Sequence, residues 1–242
     1  MPEEERGKRL RAWSVHLLTA SGVAFDLAAA VVLFAPRPDP RVVFLLLLAP
    51  VVIDAVDGPL ARRWDVKRWA AAVDGRTVDD IVDYLTFTFL PLLLVWRMGW
   101  VPWPALAFVL PAAVASLFGF ANREAKQEAD GFFRGFPSYW NVFAFYAGLW
   151  AERSGPWGPG LLVLALAALT VAPVRFVYPN LAPPPWRMPL LLGAAVWVVI
   201  VLAMLPSYPD TPGWLVAVSL VYPAAYTVLS VVLDRRQRAA TA

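Results

Sequence analysis

The stretch DAVDGPLARRWDVKRWAAAVDGRTVDDIVDYLTF, residues 54–87, lies between two apolar runs, FLLLLAPVVI (44–53) and TFLPLLLVW (88–96). Both flanks read as parts of membrane-spanning helices, so Asp54, Asp57, Asp79 and Asp83 stand at the ends of two such helices. Charge is costly there. Insertion scales put each Asp at a helix centre at about 2.5–3.5 kcal/mol, and less towards the interface. Asp54 and Asp57 are three residues apart and share a helix face; Asp79 and Asp83, four apart, share another. Two helices joined by a short loop pack antiparallel, which lets the two pairs face each other. Four mutually repelling carboxylates need a counter-charge. A hard divalent cation with oxygen ligands, Mg2+ or Mn2+, supplies one.

Small residues surround these acids. Gly58 follows Asp57, Ala61 lies one turn further, and Gly75 precedes Asp79 by four; small side chains let a ligand approach the backbone. Arg62 stands beside this space and can give two hydrogen bonds to a phosphate. Carboxylates for a metal, small residues and an arginine together describe a diphosphate site. A buried salt-bridge network with glycines for helix packing is the alternative.

The rest of the chain sets these residues in a membrane. Of its 242 residues 60% are hydrophobic and only 16% charged, against about 25% charged in soluble domains. The expected fold is an all-α, polytopic helical bundle. Eight apolar segments of spanning length are expected at about 14–35, 42–61, 78–97, 103–121, 138–152, 159–178, 188–205 and 213–233. Trp100, Trp103, Trp157, Trp186, Tyr208 and Trp214 gather at the breaks, as an interfacial aromatic belt does. The first apolar run is read as a retained helix, not a cleaved signal. The basic start, EEERGKRLRAW, is expected either as an interfacial amphipathic helix or as a solvated tail. No soluble domain or linker is visible, so residues 1–242 are expected as one membrane domain. The chain has no cysteine, which excludes disulfides and thiolate metal sites.

Orientation follows from Lys and Arg. With eight spans and a cytoplasmic start, 17 of the 21 basic residues fall on the cytoplasmic side, including Arg62, Arg63, Lys67, Arg68 and Arg76. Both termini are then expected in the cytoplasm, and the four aspartates at the cytoplasmic ends of their helices.

The residues Asp54, Asp57, Gly58, Ala61, Arg62, Gly75, Asp79 and Asp83 match, in register, the signature D-x2-D-G-x2-A-R, a spacer, then G-x3-D-x3-D. The chain thereby resembles the CDP-alcohol phosphatidyltransferase family. The spacer from Arg63 to Asp74 is longer than most of that family has. In this, and in RAWSVHLLTASG (11–22), FFRGFPSYWNVFAFY (132–146) and PVRFVYP (173–179), the chain is similar to the family's bacterial phosphatidylcholine synthase branch.

The resemblance implies a reaction and roles. CDP-diacylglycerol and choline would give phosphatidylcholine and CMP at the cytoplasmic face of a bacterial inner membrane. Asp54, Asp57 and Asp79 would hold metal, Mn2+ or Mg2+, with two ions expected. Asp83 would be the general base and touch a second ion. Gly58, Ala61, Arg62 and Gly75 would hold the cytidine diphosphate. The chemistry is coherent: a carboxylate at hydrogen-bond distance makes choline's hydroxyl a nucleophile. Choline's ammonium has no N–H, so aromatic faces would bind it. Tyr84, Phe132, Phe133, Tyr139, Trp140 and Tyr178 are the candidates, with membrane-belt duty as the alternative. Membrane lipid is an expected partner, nucleic acid is not, and a homodimer is compatible with the sequence. The acceptor could instead be serine, inositol, glycerol phosphate or another amino alcohol. A cation transporter is a reading of another class, but it would want acids spread through the bilayer depth.

His16, the lone histidine, is expected as a packing residue with some claim to a place near the site. Asp26, an acid within the first span, has no role legible in the sequence.

Overall fold

A computed structural model describes residues 3–122, 126–127 and 131–241. They form two compact units, one running to Arg97 and including Trp140–Ala144, the other comprising Met98–Tyr139 and the residues from Phe145 onward.

The first unit opens with helix α1 (Glu3–Leu33), a single run of 31 residues. The basic start is therefore continuous with the first span and is not a separate interfacial helix. Nothing in it breaks a helix: it has no proline, Glu3, Glu4 and Glu5 suit the positive end of the helix dipole, and Lys8 pairs with Glu4 at 2.6 Å. The buried face of α1 carries Ala12, Val15, Thr19, Gly22, Asp26, Ala29 and Leu33. Its steps alternate three and four, the spacing of a helix seam.

That seam packs along α2 (Pro40–Arg63), which Asp39 caps by accepting the Arg41 N–H at 2.9 Å. Where α1 crosses, only glycine fits. A Cβ on Gly22 would lie 2.8 Å from Val82 Cγ1 and 3.2 Å from Pro50 Cβ.

The long spacer after α2 is folded. It turns at Asp65 in the left-handed region (φ 48°) into the short α3 (Val66–Trp69). Val66 and Ala70 then pack on Ala12 and Val15 of α1, with Leu60, Ala61, Trp64 and Trp69 around them. Apolar residues at these spacer positions make it a hook against α1, which a solvated loop of ordinary length could not be.

A continuous helical run follows, but it is not regular. α4 (Gly75–Asp83) passes into a π-helical turn (Tyr84–Phe89) and then α5 (Leu90–Met98). The turn is pinned to α1, because the Thr86 hydroxyl lies 3.1 Å from both carboxylate oxygens of Asp26. The acid without a legible role thus anchors the irregular turn directly below Asp83.

The second unit contains α6 (Leu106–Ala121), most of α7 (Trp140–Ser154), α8 (Trp157–Val171), α9 (Arg187–Met204) and α10 (Gly213–Thr241). It also holds a small antiparallel sheet that the helical expectation lacked, ordered β1 (Lys126–Gln127), β2 (Phe132–Arg134), β3 (Arg175–Val177). Phe132 pairs with Val177, Phe133 with Phe176 and Arg134 with Arg175. Phe132, Val177, Ala182 and Leu190 form a buried cluster under Trp186, Tyr226, Leu229 and Leu233.

The class is an all-α membrane bundle with this minor sheet added. The count of eight full-length spans is not reproduced. Among the described residues, four helices are long and apolar enough to cross a bilayer: Glu3–Leu33, Pro40–Arg63, Arg187–Ser207 and Gly213–Ala239. Leu106–Ala121 and Trp157–Val171 are apolar but shorter. The expected third span is the run interrupted by the π-helical turn, and the expected fifth is the 15-residue α7.

Candidate active site

The acids come together across α2 and α4. Asp54 and Asp57, one turn apart on α2, meet Asp79 of α4, and one carboxylate oxygen from each lies within 4.8 Å of the others. Asp57 is the deepest of the three, 6% exposed; Asp54 and Asp79 are half-buried. The donor set is three hard oxygens with no nitrogen or sulfur, which suits Mg2+ or Mn2+. The cluster can hold a metal.

Asp83, the last residue of α4, follows one turn beyond Asp79 and is half-buried. It is not among the three that converge.

The small residues also take defined places. The Arg62 guanidinium turns back over Gly58, where an added Cβ would lie 3.6 Å from Nη1. Arg62 is exposed, so its donors are accessible beside the acids. Gly75 opens α4, and a Cβ there would lie 2.8 Å from His16 Cε1 and 3.2 Å from Nδ1. The start of α4 is fixed by Asp74, whose carboxylate accepts from the Thr77 hydroxyl at 2.8 Å and the Arg76 N–H at 3.2 Å. These bonds, the Thr77 hydroxyl foremost, hold the Asp74 carboxyl below the usual carboxylate range.

No protein-family model matches the chain. Curated proteins do. A phosphatidylcholine synthase of Pseudomonas aeruginosa is 37% identical over 174 residues, 71% of this chain and 70% of that protein. One from Bradyrhizobium diazoefficiens is 37% identical over 195 residues, 79% of this chain and 70% of its own length. One from Legionella pneumophila is 31% identical over 235 residues, 90% and 87% of the two chains.

The chain belongs to the phosphatidylcholine synthase family.

For a phosphatidylcholine synthase relative, the aromatic candidates fall into distinct environments. Phe132 is 2% exposed in the core under the sheet, with the Arg175 guanidinium 5.0 Å from its ring centroid. Trp140 is fully buried, edge-on to Phe143. Phe133 and Tyr178 stack, centroids 4.2 Å apart and planes inclined by 20°. Tyr139 sits edge-on to Phe136, and Tyr84 opens the π-helical turn. Phe132, Phe133, Tyr139 and Tyr178 belong to the second unit, Tyr84 and Trp140 to the first.

Sequence reasoning gave His16 of α1 some claim to a place near the site but missed Thr19. Thr19 donates its hydroxyl to Asp57 Oδ2 at 2.6 Å, and His16, one turn earlier, lies against Gly75. The segment SVHLLTASG offered a signal, because His16, Thr19 and Gly22 recur at three-residue steps and so share a face. Only the fold reveals which helices that face meets.

Proposed function

We propose that the chain transfers the phosphatidyl group of CDP-diacylglycerol to choline, giving phosphatidylcholine and CMP at the cytoplasmic membrane interface. The observation that carries this reading is the convergence of Asp54, Asp57 and Asp79 in a chain of this family.

The choline hydroxyl oxygen bonds to the phosphorus that carries diacylglycerol, and the bond from that phosphorus to the oxygen leaving with CMP breaks. Asp83 takes the hydroxyl proton. Asp54, Asp57 and Asp79 would hold Mn2+ or Mg2+, with two ions expected and Asp83 touching the second while it serves as the base. When bound, the metal neutralises the diphosphate's charge and stabilises the departing CMP. Arg62 donates to the phosphates, and Gly58, Ala61 and Gly75 leave the backbone open to the nucleotide. Aromatic faces receive the quaternary ammonium at about 0.5–2 kcal/mol per ring. Within the unit that bears the acids, Tyr84 suits this role better than Trp140, whose ring is fully buried.

The test uses purified protein, CDP-diacylglycerol and a panel of choline, serine, inositol and glycerol phosphate. Choline alone should yield lipid product with CMP, EDTA should stop the reaction, and Mn2+ or Mg2+ should restore it. Product from another alcohol and none from choline would move the acceptor. Full activity in EDTA would remove the metal.

A further inference from the structure

Asp57 is 6% exposed, and a carboxylate at that depth needs donors to replace lost water. Thr19 of α1, itself 7% exposed, supplies one at 2.6 Å. That length is typical of a hydroxyl bonded to a charged carboxylate. The same hydroxyl lies 3.2 Å from the Val15 carbonyl. It has one proton to give, and the nearer, charged acceptor takes it.

The donor stands on a rigid support. His16 abuts Gly75 one turn above, and Gly22 packs against Val82 and Pro50 one turn below. A β-branched side chain has few rotamers in a helix, and the one Thr19 adopts turns its hydroxyl to Asp57. Asp57, by contrast, could swing its carboxylate away from Asp54 and Asp79 to relieve repulsion.

We propose that Thr19 is a positioning residue of the metal centre. It fixes the Asp57 carboxylate in the orientation that converges with Asp54 and Asp79 before an ion arrives, so that α1 becomes a structural part of the site. The inference rests on the metal reading above but not on the identity of the acceptor.

Thr19→Val keeps the shape and removes the hydroxyl; Thr19→Ser returns it. Mn2+ binding is measured by electron paramagnetic resonance on the purified full chain in detergent, without lipid substrate, beside the Mn2+ dependence of CMP release and the melting temperature. Loss of a group that orients a metal ligand typically weakens binding by about 10–100-fold. Thr19→Val should raise the Mn2+ Kd by that factor, with the activity loss relieved by added Mn2+ and the KM for CDP-diacylglycerol little changed. Thr19→Ser should bind nearly as the wild type does. If Thr19→Val does not fold, Thr19→Ala is compared with Thr19→Ser in its place. Wild-type affinity in the hydroxyl-free variant overturns the proposal, as does a folded Thr19→Ser as weak as it. If the wild type itself binds no Mn2+, the metal reading and this proposal fall together, while choline transfer can still stand.

Discussion

Asp83 differs from Asp54, Asp57 and Asp79 in lying outside the converging trio. Asp83→Asn is nearly isosteric but a poor proton acceptor, so kcat should fall by about 10²–10⁴-fold. The Kd of the Mn2+ held by Asp54, Asp57 and Asp79 and the KM for CDP-diacylglycerol should hold. A raised Mn2+ Kd would make Asp83 a ligand first. Gly75 invites a second test. A Cβ there meets the His16 ring at 2.8 Å, so Gly75→Ala should lower both CMP release and melting temperature. If the imidazole is the obstacle, Gly75→Ala with His16→Ala should lose less than the two single losses combined. Additive losses would return Gly75 to the nucleotide alone. The acids were legible because three- and four-residue spacings on a helix declare a shared face. Thr19 was not legible. A helical threonine commonly bonds the carbonyl four residues back, and the partner that decides its role is 38 residues away.

At the scale of elements, α4 depends on its cap. Asp74→Ala should fray its first turn, seen as faster amide exchange at Arg76 and Thr77. The sign of the pH effect is fixed. A carboxyl whose pKa is depressed in the fold contributes above its unfolded value, about 3.9, and loses that contribution as pH falls through the folded value. Between pH 6 and 8 the cap is constant, so exchange at these amides, corrected for its intrinsic rate, should not change there. The helices α1 and α2 were legible from apolar length. The strands were not: two- and three-residue strands are too short to show a period of two. The hook of Val66 and Ala70 was equally hidden, because its apolar residues find their partners on α1.

For the whole molecule, hydropathy reported apolar runs faithfully but could not say which are unbroken helices. Hence eight runs were expected where, among the described residues, four helices reach spanning length. The basic asymmetry, 17 of 21 Lys and Arg under the eight-span reading, makes a separate prediction. The chain has no cysteine of its own, so single cysteines replacing Arg68 or Arg153 report sidedness without background. An impermeant thiol reagent on intact cells should label position 153 and spare 68. The opposite pattern would place the aspartates on the outer face and exclude cytoplasmic chemistry.

The π-helical turn at Tyr84–Phe89 has a consequence for how this protein can change. Such a turn closes its hydrogen bonds one residue later than an α-turn, so it accommodates an extra residue, and each residue rotates a helix by about 100°. The face of α4 that bears Asp79 and the faces of α5 below are therefore offset in phase. Deleting one residue from Tyr84–Phe89 would restore a regular helix while leaving both the acids and Leu90–Met98 on the faces they hold now. The turn takes up a one-residue difference in spacing, so a single deletion there should leave the aspartates and the apolar face of the lower half where they are.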